Sequence, residues 1–363
     1  MKIPCMIFFF LTTLPSNKLV TTNAYEIVKL NRTADPWSFE YHQNSDEART
    51  SKKLPPLPPN VNKHPRLPLV NRENCGISSN HQPFIFGGSK THLFEYPWMA
   101  LIGYIADDNE RPRGSSVVPV FRCSGTIINR RYVLTAAHCL VDLPKGMKVS
   151  FVRVGEYNLN RMRDCERLDE GTITICANEH QDIGIESTHS HKGYSDVSWR
   201  NDVALIRLNA TLKFENQHSV LPICLPLNAT FRIATTTRGS TVTATGWGVT
   251  SLGSQKSLSP KLMRAELALQ PLERCSRAFA NRLFVKLWHK QICAGGNGST
   301  GSTCTGDSGG PLQTIVSLPN GETRIVQIAV ISFGLTECSG DGAYGVYTDL
   351  AYYVDWILDQ LTE

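Results

Sequence analysis

Residues 304–312 read CTGDSGGPL. Small residues crowd around one aspartate and one serine, Asp307 and Ser308, so backbone amides can come close to anything that meets the serine. A serine hydroxyl is a poor nucleophile until a neighbouring base takes its proton. Upstream, LTAAHC (residues 134–139) supplies His138, and NDVALIRL (residues 201–208) supplies Asp202. An imidazole that titrates near neutrality can act as that base, and a carboxylate can hold its tautomer. Each segment alone has a bland reading: a packed histidine, a turn-forming aspartate, a glycine loop. The three together pose a nucleophile, a base and an orienting acid.

The rest of the chain supplies the setting. It has 363 residues, 41% hydrophobic and 19% charged, with a net charge of +5. Its lysines and arginines are scattered, which gives nucleic-acid binding little support. MKIPCMIFFFLTTL (residues 1–14) carries Lys2 and then an apolar core through Leu14. That run is too short to span a bilayer and fits a secretory signal peptide, with Ala24 as the expected cleavage site. No other stretch is long and apolar enough for a membrane anchor, so an extracellular protein is expected. Of eleven cysteines, Cys5 lies in the signal; the even remainder, without any C-x-x-C, points to a disulfide framework. Glycosylation acceptors stand at Asn31, Asn209, Asn228 and Asn297, with Asn209 beside an expected strand.

From Tyr25 to Arg72 the chain is polar and ends in KLPPLPPNVNKHPRLPLV (residues 53–70). Proline at that density favours extended, semi-rigid chain without a packed core. The expected layout is a signal peptide over 1–24, a pro-segment with a Pro-rich linker over 25–84, and a folded domain over 85–363. After Ile85, strand-length runs rich in β-branched residues recur between Gly, Asn and Pro clusters, among them WMALIGYI, VSFVRVGEY, TVTATGWGV and RIVQIAVISFG. YYVDWILDQL (residues 352–361) has helical spacing. The pattern reads as all-β, sandwich or barrel, with a C-terminal helix.

On LTAAHC, NDVALIRL and CTGDSGGPL in that order, the chain resembles the chymotrypsin-fold serine proteases from Ile85 to its end, plus Cys75. The resemblance implies two six-stranded antiparallel β-barrels with a C-terminal α-helix, and a serine endopeptidase. His138 is then the general base, Asp202 its orienting acid and Ser308 the nucleophile, with the amides of Gly306 and Ser308 as the oxyanion hole. It also explains HQPFIFGGSK (residues 81–90). Cleavage between Phe84 and Ile85 frees an ammonium at Ile85 that pairs with Asp307. Relatives mostly carry Arg or Lys where Phe84 stands. The substrate pocket maps to Ser302, Thr303, Ser332, Gly334 and Gly345. With no carboxylate at its base, a large apolar or aromatic residue before the cut is expected; a trypsin-like preference is the alternative, through Glu337. Phe84 suits such a pocket, so either self-activation or an external activating protease fits.

Pairings implied by the resemblance are Cys75–Cys224, Cys123–Cys139, Cys275–Cys293 and Cys304–Cys338, leaving Cys165 and Cys176 for a small loop. That extra pair and Phe333 resemble the arthropod clip-type, easter-like proteases, although Tyr25–Asn74 lacks a clip domain's cysteines. Glu156 in GEYNLN matches the start of the family's calcium loop, but too few oxygen ligands accompany it, and an unmetallated surface loop is expected. No other cofactor is expected. His189 and His191 read as solvated. Expected partners are protein or peptide substrates, an activating protease and a serpin-type inhibitor. The competing reading from another class is an idle homologue acting as a cofactor or binding protein in an extracellular cascade.

Overall fold

After a short β1 (Ser89–Lys90), the first barrel begins with β2 (Met99–Ala106), β3 (Val120–Ile127), β4 (Tyr132–Thr135) and β5 (Met147–Val154). A hairpin of β6 (Cys165–Leu168) and β7 (Ile173–Cys176) follows, then β8 (Gln181–Ser190) and β9 (Ala204–Leu208). Strands β2, β3, β4, β9, β8 and β5 close in that order, all antiparallel. The structure is a computed structural model, and it describes residues 55–70, 75–78, 89–107, 119–168, 173–214, 219–228, 231, 240–249, 258–280, 285–296, 299, 301–334 and 343–363.

The second ring comprises β10 (Thr241–Gly246), β11 (Met263–Gln270), β12 (Gln291–Gly295), β13 (Pro311–Ser317), β14 (Thr323–Gly334) and β15 (Tyr344–Asp349). The order is β11-β10-β13-β14-β15-β12, and a β11–β12 pairing closes it, with β1 added outside β11. This is the expected pair of six-stranded barrels. Closure removes the exposed strand edges that would otherwise template aggregation. Ile325 through Ser332 are all buried, on both faces of β14, because one face fills the second barrel and the other meets the first.

The seam between barrels is polar and saturated. Trp98 Nε1 donates to Gln313 Oε1 at 2.9 Å, and Gln313 Nε2 donates to Thr245 Oγ1 at 3.2 Å. Thr126 Oγ1 donates to Gln327 Oε1 at 2.6 Å, and Gln327 Nε2 to the Ala329 carbonyl at 3.1 Å. Buried amides cost little only when both ends are satisfied, so these bonds fix how the barrels meet. Disulfides join Cys75–Cys224, Cys123–Cys139, Cys165–Cys176 and Cys275–Cys293. Cys304 is also in a disulfide; Cys338 lies outside the described residues.

The described residues also form three short α-helices, α1 (His138–Val141), α2 (Leu272–Ala280) and α3 (Val354–Gln360), and 3-10 turns at Leu67–Leu69 and Leu350–Tyr352. Val354, Ile357 and Leu358 of α3 sink into the first barrel's core. The Pro-rich segment differs from the expectation of chain without a packed core. Pro55–Val70 packs with the barrels, and Val61 and Val70 are only 3% and 4% exposed. Arg66 Nη1 donates to the carbonyls of Leu358 and Asp359 at the end of α3, His64 Nε2 lies 3.1 Å from Asp359 Oδ1, and Asn129 Nδ2 reaches the Leu69 carbonyl at 3.3 Å. Prolines lower the ordering entropy of this stretch, while its interleaved valines and leucines supply apolar surface to bury.

Candidate active site

β4 ends at Thr135, and buried Ala136 and Ala137 lead straight into α1, which begins with His138. The Cys123–Cys139 bond anchors that turn to β3. Asp202, fully buried, stands just before β9. Its Oδ2 lies 2.8 Å from His138 Nδ1, and its Oδ1 accepts the His138 backbone amide at 3.0 Å. Ser332 Oγ donates to Oδ2 at 2.5 Å, and Thr348 Oγ1 donates to the Asp202 carbonyl at 2.8 Å. The first barrel thus contributes the pair and the second barrel steadies it.

The electrostatics follow from this crowding. Burial alone would raise the Asp202 pKa, but the His138 charge and hydrogen bond, with the Ser332 and backbone bonds, hold it below the usual carboxylate value. Burial alone would lower the His138 pKa, but the charge and hydrogen bond of Asp202, with a contribution from Asp142, raise it above 6.5. Because Oδ2 accepts, Nδ1 carries the proton and Nε2 is left as the basic nitrogen.

Ser308 sits in the turn between β12 and β13, clasped from both sides. Its carbonyl accepts the Ser124 amide of β3 at 2.8 Å, and the Gly309 amide donates to the Ile331 carbonyl of β14 at 2.9 Å. Gly309 has φ +79°, and a Cβ there would lie 2.2 Å from Thr135 Oγ1 and 2.4 Å from the Ser124 carbonyl oxygen. Only glycine fits at that approach of turn to barrel. The Gly306 carbonyl accepts Ser124 Oγ at 3.2 Å. Among the described residues, neither the Gly306 nor the Ser308 amide donates to a protein acceptor. Two unpaired amides flanking a serine can stabilise charge developing on a carbonyl oxygen.

Between them lies Asp307. Its Oδ1 accepts the Gly248 amide at 2.7 Å and its Oδ2 accepts the Cys304 amide at 2.9 Å. A Cβ at Gly246 or Gly248 would come within 2.2 Å or 2.4 Å of the carboxylate oxygens. No described cation pairs with it; burial outweighs the two hydrogen bonds and pushes its pKa up to about 6. Phe84 and Ile85 lie outside the described residues.

At the pocket positions, Thr303 Oγ1 lies 3.1 Å from the hydroxyl of buried Tyr347, and Ser302 is adjacent in sequence. Gly334 pairs with Gly345 across β14 and β15. A Cβ at Gly345 would stand 2.5 Å from Tyr347 Oη, whereas at Gly334 the nearest atom is 3.6 Å away. Burial raises the Tyr347 pKa, so the phenol is neutral. Glu337 is outside the described residues. Ser332, read from sequence as a pocket residue, aims its hydroxyl at Asp202. Sequence reading also passed over Trp199. Its backbone is left-handed at φ 53°, and its ring centroid lies 5.6 Å from that of His138 and 5.3 Å from that of Phe333.

The remaining candidates do not converge on the site. Glu156 Oε2 lies 3.3 Å from Arg153 Nη1 and 3.5 Å from His180 Nδ1, and its Oε1 accepts the Tyr157 amide at 3.0 Å. Carboxylate oxygens already taken by a guanidinium, an imidazole and an amide do not fit a calcium ion. The described residues offer one other metal-like grouping, Cys123, Cys139 and His138, and its sulfurs are joined in a disulfide. His189 Nε2 lies 2.9 Å from Ser187 Oγ, while His191 packs against Tyr353 and Trp356. Asn209 and Asn228 are exposed; Asn31 and Asn297 lie outside the described residues. No described helix is long and apolar enough to cross a membrane.

Comparison with known proteins gives concordant findings. The trypsin family pattern matches residues 85–357. "CLIP domain-containing serine protease B4" of Anopheles gambiae is 39% identical over 295 residues, spanning 81% of this chain and 74% of that one. "Serine protease ea" of Drosophila melanogaster is 38% identical over 315 residues, spanning 85% and 74%. Among solved structures, the Drosophila Grass clip serine protease of the Toll pathway superposes with a TM-score of 0.63 at 31% identity, covering 79% of this chain and 74% of that one.

Proposed function

This chain belongs to the trypsin family of serine proteases, and we propose that it is a secreted endopeptidase, made as a zymogen, that cleaves proteins through an acyl-enzyme. The reading is carried by the buried His138–Asp202 pair at 2.8 Å, together with the Gly306 and Ser308 amides, which donate to no acceptor among the described residues. Ser308 Oγ attacks the scissile carbonyl carbon, and its proton passes to His138 Nε2. The negative oxygen that forms is held by the Gly306 and Ser308 amides, each worth roughly 3–4 kcal/mol in comparable enzymes. Asp202, kept ionised, stabilises the imidazolium. As the C–N bond breaks, His138 returns the proton to the leaving amine. Water, activated by the same imidazole, then hydrolyses the ester.

Activation follows from Asp307. Cleavage between Phe84 and Ile85 delivers an ammonium to a carboxylate that has no cationic partner among the described residues, and the Cys75–Cys224 bond keeps the pro-segment attached. The uncharged Thr303–Tyr347 hydroxyl pair beneath Gly345 favours a large apolar or aromatic side chain before the cut, by burial worth about 1.5–3 kcal/mol for a Leu- or Phe-sized group. Likeness to Grass, named for the Toll pathway, makes another protein of an extracellular cascade the proposed substrate, with an activating protease and a serpin-type inhibitor as further partners.

The test is N-terminal sequencing of the matured protein followed by a profile of fluorogenic peptides varied at the residue before the cut. An Ile85 terminus and cleavage after Phe, Tyr or Leu are expected. A preference for Arg overturns the pocket reading, and a correctly matured protein that cleaves nothing overturns the catalytic one. A Ser308→Ala precursor that still shortens to Ile85 in isolation excludes self-activation.

A further inference from the structure

We propose that Arg200 and Lys290, mounted on the face of Trp288, form a docking site for an acidic side chain of the protein substrate, beside the catalytic centre. Arg200 Cζ lies 5.0 Å from the Trp288 ring centroid, and Lys290 Nζ lies 5.4 Å from it and 5.2 Å from that of Tyr353. Several other arginines rest on carboxylates: Arg153 on Asp182, Arg207 on Glu186, Arg264 on Glu95, Arg324 on Glu322. Arg200 and Lys290 have no such partner among the described residues, and the buried Arg200 Nε donates to no acceptor among them.

The surroundings carry the same sign. The His289 ring packs edge-on against Trp288 and Tyr352, and its pKa is lowered by burial and then by Lys290 and Arg200. His191 is lowered by burial and by Lys290, with only Asp355 opposing. Cations held over aromatic faces are oriented without being neutralised. A stacked guanidinium keeps its planar edge for bidentate pairing with a carboxylate. Asp355 lies near His191 and Asp349 near Tyr352 and Tyr353, but neither forms a salt bridge with Arg200 or Lys290.

Its location selects the occupant. Arg200 follows Trp199, whose ring flanks His138. Gln291 Nε2 donates to the Trp199 carbonyl at 3.0 Å, and Gln291 Oε1 accepts the Trp288 amide at 3.2 Å, so one side chain links the cationic platform to the wall of the catalytic centre. A chain lying across Trp199 and Phe333 passes this platform. An Asp or Glu a few residues from the cut is therefore the complementary group.

The inference rests on the protease reading above, and its test separates the two. Ser308→Ala protein, matured to the Ile85 terminus, is titrated by fluorescence anisotropy with peptides that differ only in Asp or Ala at successive positions N-terminal to the cut. Binding about tenfold tighter is expected for Asp at one position at low salt, fading near 0.5 M salt. In Arg200→Gln/Lys290→Gln the Asp-to-Ala affinity ratio falls to about one. Circular dichroism and the unfolding midpoint establish that the variant is folded. An affinity ratio near one at every position in the Arg200, Lys290 protein, or a preference that survives the double substitution, overturns the docking site. Failure of the catalytic reading shows instead as absence of turnover by the Ser308 enzyme.

Discussion

Acidification is expected to stabilise the uncleaved chain through Asp307. The carboxyl is raised from its ordinary 3.8 to about 6 by burial without a cation. A difference of one pH unit between folded and unfolded states is worth about 1.4 kcal/mol, so the ionised group costs the fold at most about 3 kcal/mol. The solvent contact that the side chain retains trims that figure. The sign is that of an acid whose folded pKa is raised: the cost is full above pH 6, shrinks as pH falls toward 3.8, and is absent below. Between pH 7 and pH 5 the cost therefore falls by about 1 kcal/mol. Urea unfolding of Ser308→Ala precursor, with and without Asp307→Asn, isolates this contribution from other titrating groups. The stability difference between the two proteins should move in favour of Asp307 by that amount on acidification. After cleavage, an ammonium at Ile85 satisfies the carboxylate and the movement should disappear. A difference that is the same at both pH values before cleavage, or that persists after it, refutes the reasoning.

The acid limb of kcat/KM should lie above pH 6.5, because activity is lost as pH falls through the raised His138 pKa; a limb at or below 6.5 contradicts the pairing. Asp202→Asn should move that limb down and lower kcat by about ten-thousandfold, as the wrong tautomer is then favoured. Ser332→Ala removes the 2.5 Å bond to Asp202, a charge-assisted contact worth about 1.5–3 kcal/mol, and a ten- to hundredfold drop in kcat/KM is expected from peptide assays. Matured protein should run as one band on non-reducing gels and as two after reduction, through Cys75–Cys224; separation without reductant would place the cut elsewhere.

An all-β fold was legible because antiparallel strands leave short β-branched runs between turn residues, as in β2 and β14, while the pair of six-stranded barrels was implied only by the family resemblance. LTAAHC, NDVALIRL and CTGDSGGPL were legible because small residues and fixed order accompany the reactive groups. The docking of Pro55–Val70 was not, since prolines announce extended chain while the surface that receives it is made by Asn129, Leu358 and Asp359, far along the sequence. Ser332 carries no local signal of its bond to Asp202; that depends on the register of β14. Trp199 is hidden for a similar reason, because a left-handed backbone at tryptophan follows from tertiary contacts and not from propensity. Gly246 and Gly248 carry no local sign, inside the run TVTATGWGV, that the Asp307 carboxylate packs against them.

The most direct measurement is mass-spectrometric mapping of a fluorophosphonate adduct on the matured protein. A single adduct on Ser308, lost in His138→Ala and absent from the uncleaved precursor, is expected. A matured, folded protein that takes no label, or takes it on a different residue, contradicts the assignment of Ser308, His138 and Asp202 to catalysis.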